Sequence, residues 1–345
     1  MLYLGETKNQ SEWKHLWVNN PVYKQYPDWP IGWVLETREK EIVGYVGNVP
    51  LSYEFQGRRI LAATSRAVVV DLQHRAYSLA LLSCFFGQKH VDLFIETTVN
   101  PKAVKAQSLF RARRVPVGAW DRSAFWITDH KGFLSSLLTM KRLRLMKPFA
   151  YPLSVGLQLR DALSEKKRAR RNGIEISACT GFDIRFDRFW HQLKSDHRAL
   201  LLATRSREVL EWHFNYALEQ NRALVATVVN RDTIAAYAIF YRQDNPAFGL
   251  KRLRLVDFQT IDGSSEVLTP ILSWALEHCR SHGIHLLETI GLSAVRQRVV
   301  EKLKPHKREL PSWMYFYKTN DTGLAESLEN PEVWDPSCFD GDASL

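Results

Sequence analysis

Apolar and polar positions divide the chain into two series of elements that run in the same order. GWVLET (32–37) and EIVGYVGNV (41–49) alternate as strands do around the charged turn Arg38-Glu39-Lys40, which predicts a hairpin. Residues 51–55 and 59–61 flank a second turn at Gln56-Gly57. Residues 62–70 end in AVVV and read as a buried strand, 76–88 as a buried helix, and 91–97 (VDLFIET) as another strand. A basic amphipathic helix over 101–113 follows, with Pro101 suited to its first turn. Residues 115–126 then return to extended structure.

The second series opens with a hairpin, 222–229 and 233–242, around Asn230-Arg231-Asp232. A strand over 250–260 comes next, and Ser264-Ser265 is placed to cap a helix over 266–282 that stops at Gly283. A strand (284–290), a helix (294–303) and a last strand (313–318) complete it. Two matches share one register: Val43-Gly44-Tyr45 with Ala235-Ala236-Tyr237, and LFIET with HLLET, so that Tyr237 and Glu288 lie 192 positions after Tyr45 and Glu96. An internal repeat of one α/β unit accounts for both the order and the register. The joint is expected within about residues 139–172, with a helix over 131–144 bridging the halves.

Charge adds an asymmetry to this picture. Residues 141–175 hold ten Lys/Arg against three Asp/Glu, whereas 321–345 hold seven Asp/Glu and no Lys/Arg. The net charge of +10 therefore hides a basic body and an acidic tail. That division suggests an anionic ligand or surface, or simply a solvated face and a disordered tail that aids solubility. The four cysteines, Cys84, Cys179, Cys279 and Cys338, lie far apart with no CxxC spacing, which argues against a disulfide framework and a structural zinc. No apolar run reaches the roughly 18 residues of a membrane span, and the first ten residues do not read as a secretory signal. A reducing, cytoplasmic setting is expected.

The segment VVVDLQHRAYSLALL, residues 68–82, carries the candidate chemistry. A strand runs out at Val69-Val70, a turn follows, and a helix opens on small residues. Such a helix start offers amide N–H groups and a positive dipole end to a phosphate, and small side chains let the backbone approach the anion. Here the chain resembles the GNAT superfamily of acyl-CoA-dependent N-acyltransferases, whose pyrophosphate loop reads Arg/Gln-x-x-Gly-x-Gly/Ala. Gln73-His74-Arg75-Ala76-Tyr77-Ser78 keeps the first position and has Ala76 and Ser78 where that loop has its small residues. Asn100-Pro101-Lys102-Ala103 fits the Asn-x-x-Ala that follows the fifth strand of that family, and Phe110 stands where it usually has a Tyr that acts as general acid.

The resemblance implies two tandem GNAT-like domains of α/β class, each a twisted mixed sheet flanked by helices. They would be an N-terminal domain (1–138) with the acyl-CoA site, a basic linker (139–172), a C-terminal domain (173–320) and a disordered acidic tail (321–345). It implies an N-acyltransferase with acetyl-CoA or another acyl-CoA as donor and no metal. The donor would contact Val69, Val70, Gln73 to Ser78, Asn100 and Ala103, entering between the strands over 62–70 and 91–97. The acceptor would be the amine of a small molecule or sugar, anionic ones included, between the halves. Two alternatives stand beside this: a Fem-type aminoacyl transferase using aminoacyl-tRNA, and a non-catalytic acyl-CoA-binding module.

Glu96 is the candidate base, because a carboxyl in an otherwise apolar strand is pushed towards neutral pKa. The competing role is an ion pair with Arg66 on the neighbouring strand, and the recurrence of the same residue type at Glu288 favours a structural role for both. His278, His282 and His285 invite a metal reading, but no HExxH pattern accompanies them. GxxxxGK[ST] and GxGxxG are both absent, so a P-loop or Rossmann reading has no support. The basic runs Arg111-Ala112-Arg113-Arg114 and Lys166 to Arg171 come with no recognised nucleic-acid motif; peripheral membrane contact or the CoA 3′-phosphate would use them equally well.

Overall fold

The computed structural model describes residues 10–118, 120–141, 174–310 and 312–345. The basic stretch expected as a linker falls almost wholly outside the described residues. From the N-terminal side, helices α1 (Gln10–Val18) and α2 (Pro21–Gln25) precede strands β1 (Gly32–Glu36), β2 (Ile42–Phe55) and β3 (Arg58–Val70). A 3₁₀ turn, Leu72–Tyr77, runs into α3 (Ser78–Phe86). Then come β4 (Leu93–Val99), a second 3₁₀ turn Pro101–Ala103, α4 (Val104–Leu109), β5 (Arg113–Arg114), β6 (Arg122–Ile127) and α5 (His130–Met140). Later in the chain follow β7 (Ile176–Cys179), α6 (Ile184–Asp196), β8 (Leu202–Ala203), α7 (Arg207–Glu219), β9 (Ala223–Asn230), β10 (Thr233–Arg242) and β11 (Arg252–Thr260). The last elements are α8 (Leu268–Ser281), β12 (Leu286–Ile290), α9 (Ala294–Glu301), β13 (His306–Glu309), β14 (Met314–Lys318) and α10 (Thr322–Ser327).

The chain groups into two compact units: Met1–Asp121, Phe186–His213 and Pro311–Leu345 in one, Arg122–Arg185 and Phe214–Leu310 in the other. Each holds one mixed sheet. The first has the order β1-β2-β3-β4-β14-β5, with β8 paired to β2. The second, taken from its other edge, reads β7-β9-β10-β11-β12-β6-β13. The repeat is therefore topological: β1-β2-β3-β4 corresponds to β9-β10-β11-β12, with β3–β4 and β11–β12 parallel and the rest antiparallel. The strand that completes each sheet comes from the other half of the sequence. β14 pairs with β4 and β5, and β6 pairs with β12 and β13. A cut at 138 and 320 would leave both strands with the wrong partners, which is where the grouping departs from the expected boundaries. α5, expected as a bridge, groups with the second unit.

Local chemistry explains the elements that position the site. Gln56 (φ 52°) and Gly57 (φ 76°) both take left-handed backbone, as a two-residue hairpin turn demands, so β2 and β3 run as one long hairpin. The helix expected over 101–113 is shorter because Asn100 Oδ1 accepts the Lys102 N–H (3.0 Å) and starts a 3₁₀ turn, and because Arg111 (φ 59°) leaves the helical region. α8 begins at Leu268, and its first residues have no side-chain cap; Ser264 Oγ accepts the Glu266 N–H instead. The first core packs Phe85 and Phe86 of α3 on Phe94 of β4, with ring centroids 5.0–5.4 Å apart. Each such buried ring contributes about 2–3 kcal/mol.

The acidic tail is folded, contrary to the disorder expected of it. Trp334 and Phe339 are buried, and Trp334 Nε1 donates to Leu328 O (2.9 Å). Gly341 (φ 58°) passes so close to β4 that a Cβ would stand 2.8 Å from Thr97 Cγ2. The tail's charge misled the reading, because its aromatic residues, not its carboxylates, decide where it lies.

Candidate active site

The first sheet opens in its middle. β3 and β4 pair only at Ala62↔Leu93 and Ala63↔Phe94. Beyond Thr64 and Ile95, β3 stays with β2 and β4 with β14, so the two parallel strands part. A bulge lies on β3 within this opening. Tyr45↔Val69 and Gly47↔Arg66 are in register, which sets Ala67 and Val68 against Val46 alone. Ala67 has φ 57°, a conformation that costs an alanine about 1–2 kcal/mol.

The loop singled out in the sequence hangs at the open end. Val69 and Val70 close β3 against Tyr45 and Gly44, and the Asp71 N–H donates to Val43 O (2.8 Å). Gln73, Arg75, Ala76 and Tyr77 are exposed on the 3₁₀ turn, and His74 and Ser78 are half-buried. The helix mouth differs from expectation. It is wound into the turn, so the His74 N–H donates to Asp71 O (2.9 Å) and the Ser78 N–H to Arg75 O. Asn100 is spent as a cap, and the half-buried Ala103 packs against the α3 core.

Glu96 lies beside the point where the strands part. It shares a face with Phe94, which packs on α3, and it is buried beneath α4. Its carboxylate accepts from Ser65 Oγ of β3 and from Gln107 Nε2 of α4. Burial pushes its pKa up to about 7; Asp342 adds to the rise, and the two hydrogen bonds oppose it. The expected partner Arg66 reaches the Asp342 backbone oxygen instead (3.4 Å). Sequence reasoning missed Ser65, Gln107 and Asp342. Ser65 lies on β3 just past its last pairing with β4, and its hydroxyl spans the start of the opening to reach Glu96. Asp342 carried no signal inside an acidic tail. It accepts from the Thr97 N–H (3.0 Å), Thr97 Oγ1 (2.7 Å) and Thr98 Oγ1.

Three buried side-chain atoms on the segments that border the opening have no hydrogen-bond partner: Thr64 Oγ1, Gln107 Oε1 and His74 Nδ1. Buried polar atoms are seldom left so, and a polar ligand entering between the strands would satisfy them. The residues present thus fit a polar ligand.

Glu288 has a different setting. Burial raises its pKa, but Arg254, Arg252 and Arg308, with a bond from Ser123 Oγ (2.6 Å), outweigh that and hold it at about 2. Phe110 stacks on Phe86 (5.3 Å). His278 and His282 stack on one another (4.0 Å), while His285 is buried elsewhere and accepts the Lys251 N–H through Nδ1 (3.3 Å). Among the described residues no group of three or more His, Cys, Asp or Glu is placed to hold a metal, and no helix is long and apolar enough to cross a membrane.

No protein-family model matches the sequence, and no curated protein matches it. Solved structures do match. The N-myristoyltransferase of Saccharomyces cerevisiae with bound myristoyl-CoA superposes with a TM-score of 0.56 at 10% identity, covering 90% of this chain and 71% of that one. GCN5-related N-acetyltransferases from Anabaena variabilis (TM-score 0.46, 13% identity, 84% of this chain) and Kribbella flavida (0.47, 12%, 83%) superpose less closely. This chain spans 62% and 59% of those two proteins, less than two thirds of their length. The fold, two mixed sheets flanked by helices, is thus the one that the N-myristoyltransferase structure has.

Proposed function

We propose that this protein is an acyl-CoA-dependent N-acyltransferase whose donor site lies in the first unit. The observation that carries the reading is the early parting of β3 and β4, two paired positions and then an opening, with the Leu72–Tyr77 turn at its mouth. The donor's pantetheine would enter that opening, with Gln73 and Arg75 beside the pyrophosphate. The bulge at Ala67–Val68 takes backbone groups out of the ladder, where an N–H is needed to meet the charge that develops on the thioester oxygen. The amine nitrogen attacks the carbonyl carbon, the new C–N bond forms, and the C–S bond breaks to release CoA thiolate. Glu96, held near neutral pKa, takes the proton that the amine loses, passed through the Ser65 hydroxyl or a water. An alkyl thiol ionises near pH 8.5, so the leaving thiolate does without a strong acid, which makes Phe110 compatible with turnover. The myristoyl-CoA bound by the yeast neighbour supports a CoA ester as donor. The acceptor is taken to be a small-molecule or sugar amine.

The non-catalytic alternative draws on the wound-up loop and on Phe110; nothing favours the aminoacyl-tRNA alternative. The test is release of free CoA thiol from acetyl-, octanoyl- and myristoyl-CoA with a pool of amines from cell extract, with mass detection of the acylated product. Binding of an acyl-CoA without product from any pool would favour the non-catalytic module. Absence of binding would sink both.

A further inference from the structure

The carboxylate of Glu96 is held by two unlike donors. Ser65 Oγ of β3 donates to Oε1, and Gln107 Nε2 of α4 donates to Oε2. All three side chains are buried. A hydroxyl can give up its proton and take another, whereas an amide N–H only donates. The two oxygens of Glu96 are therefore not equivalent. Oε2 cannot carry a proton while the Gln107 N–H faces it. Oε1 can, and it faces Ser65, just past the last paired positions of β3 and β4.

Gln107 is held in this arrangement by its surroundings. Its backbone carbonyl accepts the Phe110 and Ala112 N–H groups (3.1 Å each), and Phe110 stacks on Phe86 in the α3 core, so the backbone that carries the amide is pinned. Turned over, the amide would set its oxygen against a Glu96 oxygen. As it stands, Gln107 Oε1 is buried without a hydrogen-bond partner. An orphan acceptor in a core is costly, and a side chain kept there for packing alone would be apolar. The other groups around Glu96 do not favour its charge. Phe316 of β14 lies opposite it in the ladder, α3 brings phenyl rings, and Asp342 of the tail repels it. Lys318, two positions along β14, lies over the Phe86 and Phe94 rings (5.5 and 5.0 Å) and donates to Phe86 O (2.9 Å). Arg66, beside Ser65 on β3, reaches Asp342 O (3.4 Å).

We propose that Gln107 is the positioning residue of the base: its amide holds Glu96 Oε2 and so turns Oε1, the oxygen that takes the proton, to Ser65 and the acceptor amine. This deepens the acyltransfer reading and rests on it. As the C–N bond forms, an N–H bond of the amine breaks and its proton goes to Ser65 Oγ, whose own proton passes to Glu96 Oε1. The electron pair of the broken C–S bond leaves with the CoA thiolate. Gln107 neither gives nor takes a proton and keeps its N–H on Oε2 throughout.

Carbon-13 NMR of carboxyl-labelled glutamate tests this, the Glu96 signal being assigned by its loss in Glu96→Gln. Gln107→Met keeps the bulk without the donor and should move the Glu96 titration up by about one pH unit, because a hydrogen bond to the charged form is lost. Gln107→Glu has the shape of the wild-type side chain and should move it further, because two carboxyl groups in contact cannot both ionise. In the acyl-transfer assay the acidic limb of the pH–rate profile should move with the titration in Gln107→Met. A role in packing alone would lower the melting temperature and leave both pH curves in place. Should Gln107→Met fail to fold, Gln107→Glu decides. A Glu96 titration that stays put would overturn the proposal whatever the activity. A moved titration with an unmoved rate profile, or with no acyl transfer by wild type, would overturn the base role of Glu96 and leave Gln107 no reaction to serve.

Discussion

Glu96 and Glu288 end the same strand motif in the two sheets, yet their side chains lie on opposite faces. Glu96 points with Phe94 towards α3 and α4, where Gln107 bonds it. Glu288 points away from α8 and α9, because it is Leu287 that enters that core. The motif has slipped by one residue relative to the helices, and in a strand such a slip reverses every side chain. The recurrence of the acid therefore says nothing about the role of Glu96.

Glu96→Gln should cut turnover by about 10²–10⁴-fold and leave acyl-CoA affinity nearly unchanged. The wild-type rate should rise with pH through about 7 as Glu96 loses its proton. Steady-state kinetics from pH 5.5 to 8.5 check this; a pH profile that survives in the variant would remove Glu96 from the chemistry.

Stability should respond to the same residue. Its folded pKa of about 7 exceeds the ordinary 4.5, so the folded chain holds a proton that the unfolded chain has lost between those values. The associated stability is fully present below about pH 4.5 and is lost as pH rises through 7, amounting to roughly 3 kcal/mol. Glu96→Gln removes the buried charge and can keep both contacts once the Gln107 amide turns so that its Oε1 accepts from the new amide N–H. Thermal melts should find it more stable than wild type at pH 8 and equal at pH 5.

Glu288 carries the opposite sign. Its pKa of about 2 gives stability that is present above about 4.5 and lost as pH falls through 2. Glu288→Ala leaves Arg254 and Arg252 buried against each other and should cost about 3–5 kcal/mol by denaturant unfolding. A cost below 1 kcal/mol would mean that the arginines find water or other partners.

Trp334→Ala should destabilise the chain by about 3–5 kcal/mol, as deleting a buried Trp side chain does. The side chain is 5% exposed and packs on Tyr315 and Tyr317 of β14, with ring centroids 5.7 and 5.3 Å away. An unchanged melting temperature would return the tail to the loosely docked role that its charge suggests.

The hairpins, the helix and strand order and the repeat were legible because each rests on local signals: turn chemistry, apolar runs and flanking glycines. Glu96 was legible as one carboxyl in an apolar strand. The exchange of β6 and β14 was not, since a strand's partner is chosen by tertiary packing, and Val-rich or Tyr-rich runs pair with any edge. The burial of the tail escaped notice because seven carboxylates outweighed two aromatic residues in the composition. The burial of Asp342 against Thr97 and Thr98 depends on the turn at Gly341, which no pattern announces.

The donor site can be assigned to one unit by a charge scan. The positions 192 residues after Gln73, Ala76 and Ser78 are Ser265, Leu268 and Pro270. Leu268 is fully buried in the second core, and Pro270 has no N–H to offer. Glu266 adds a negative charge, which pairs with Lys302 (2.9 Å). The first-unit turn is exposed and carries Arg75 instead. Ala76→Glu places a carboxylate at that surface without disturbing a core, so it should fold and lose acyl-CoA binding by at least two orders of magnitude. The matching control cannot be Leu268→Glu, which would bury a charge and unfold the unit. Ser265→Glu is the right comparison, since it sits on the half-exposed turn before α8. Calorimetry with acetyl-CoA should find that variant indistinguishable from wild type. Loss of binding in Ser265→Glu with retention in Ala76→Glu would move the donor to the second unit. It would also turn the opening between β3 and β4 into a feature of packing alone.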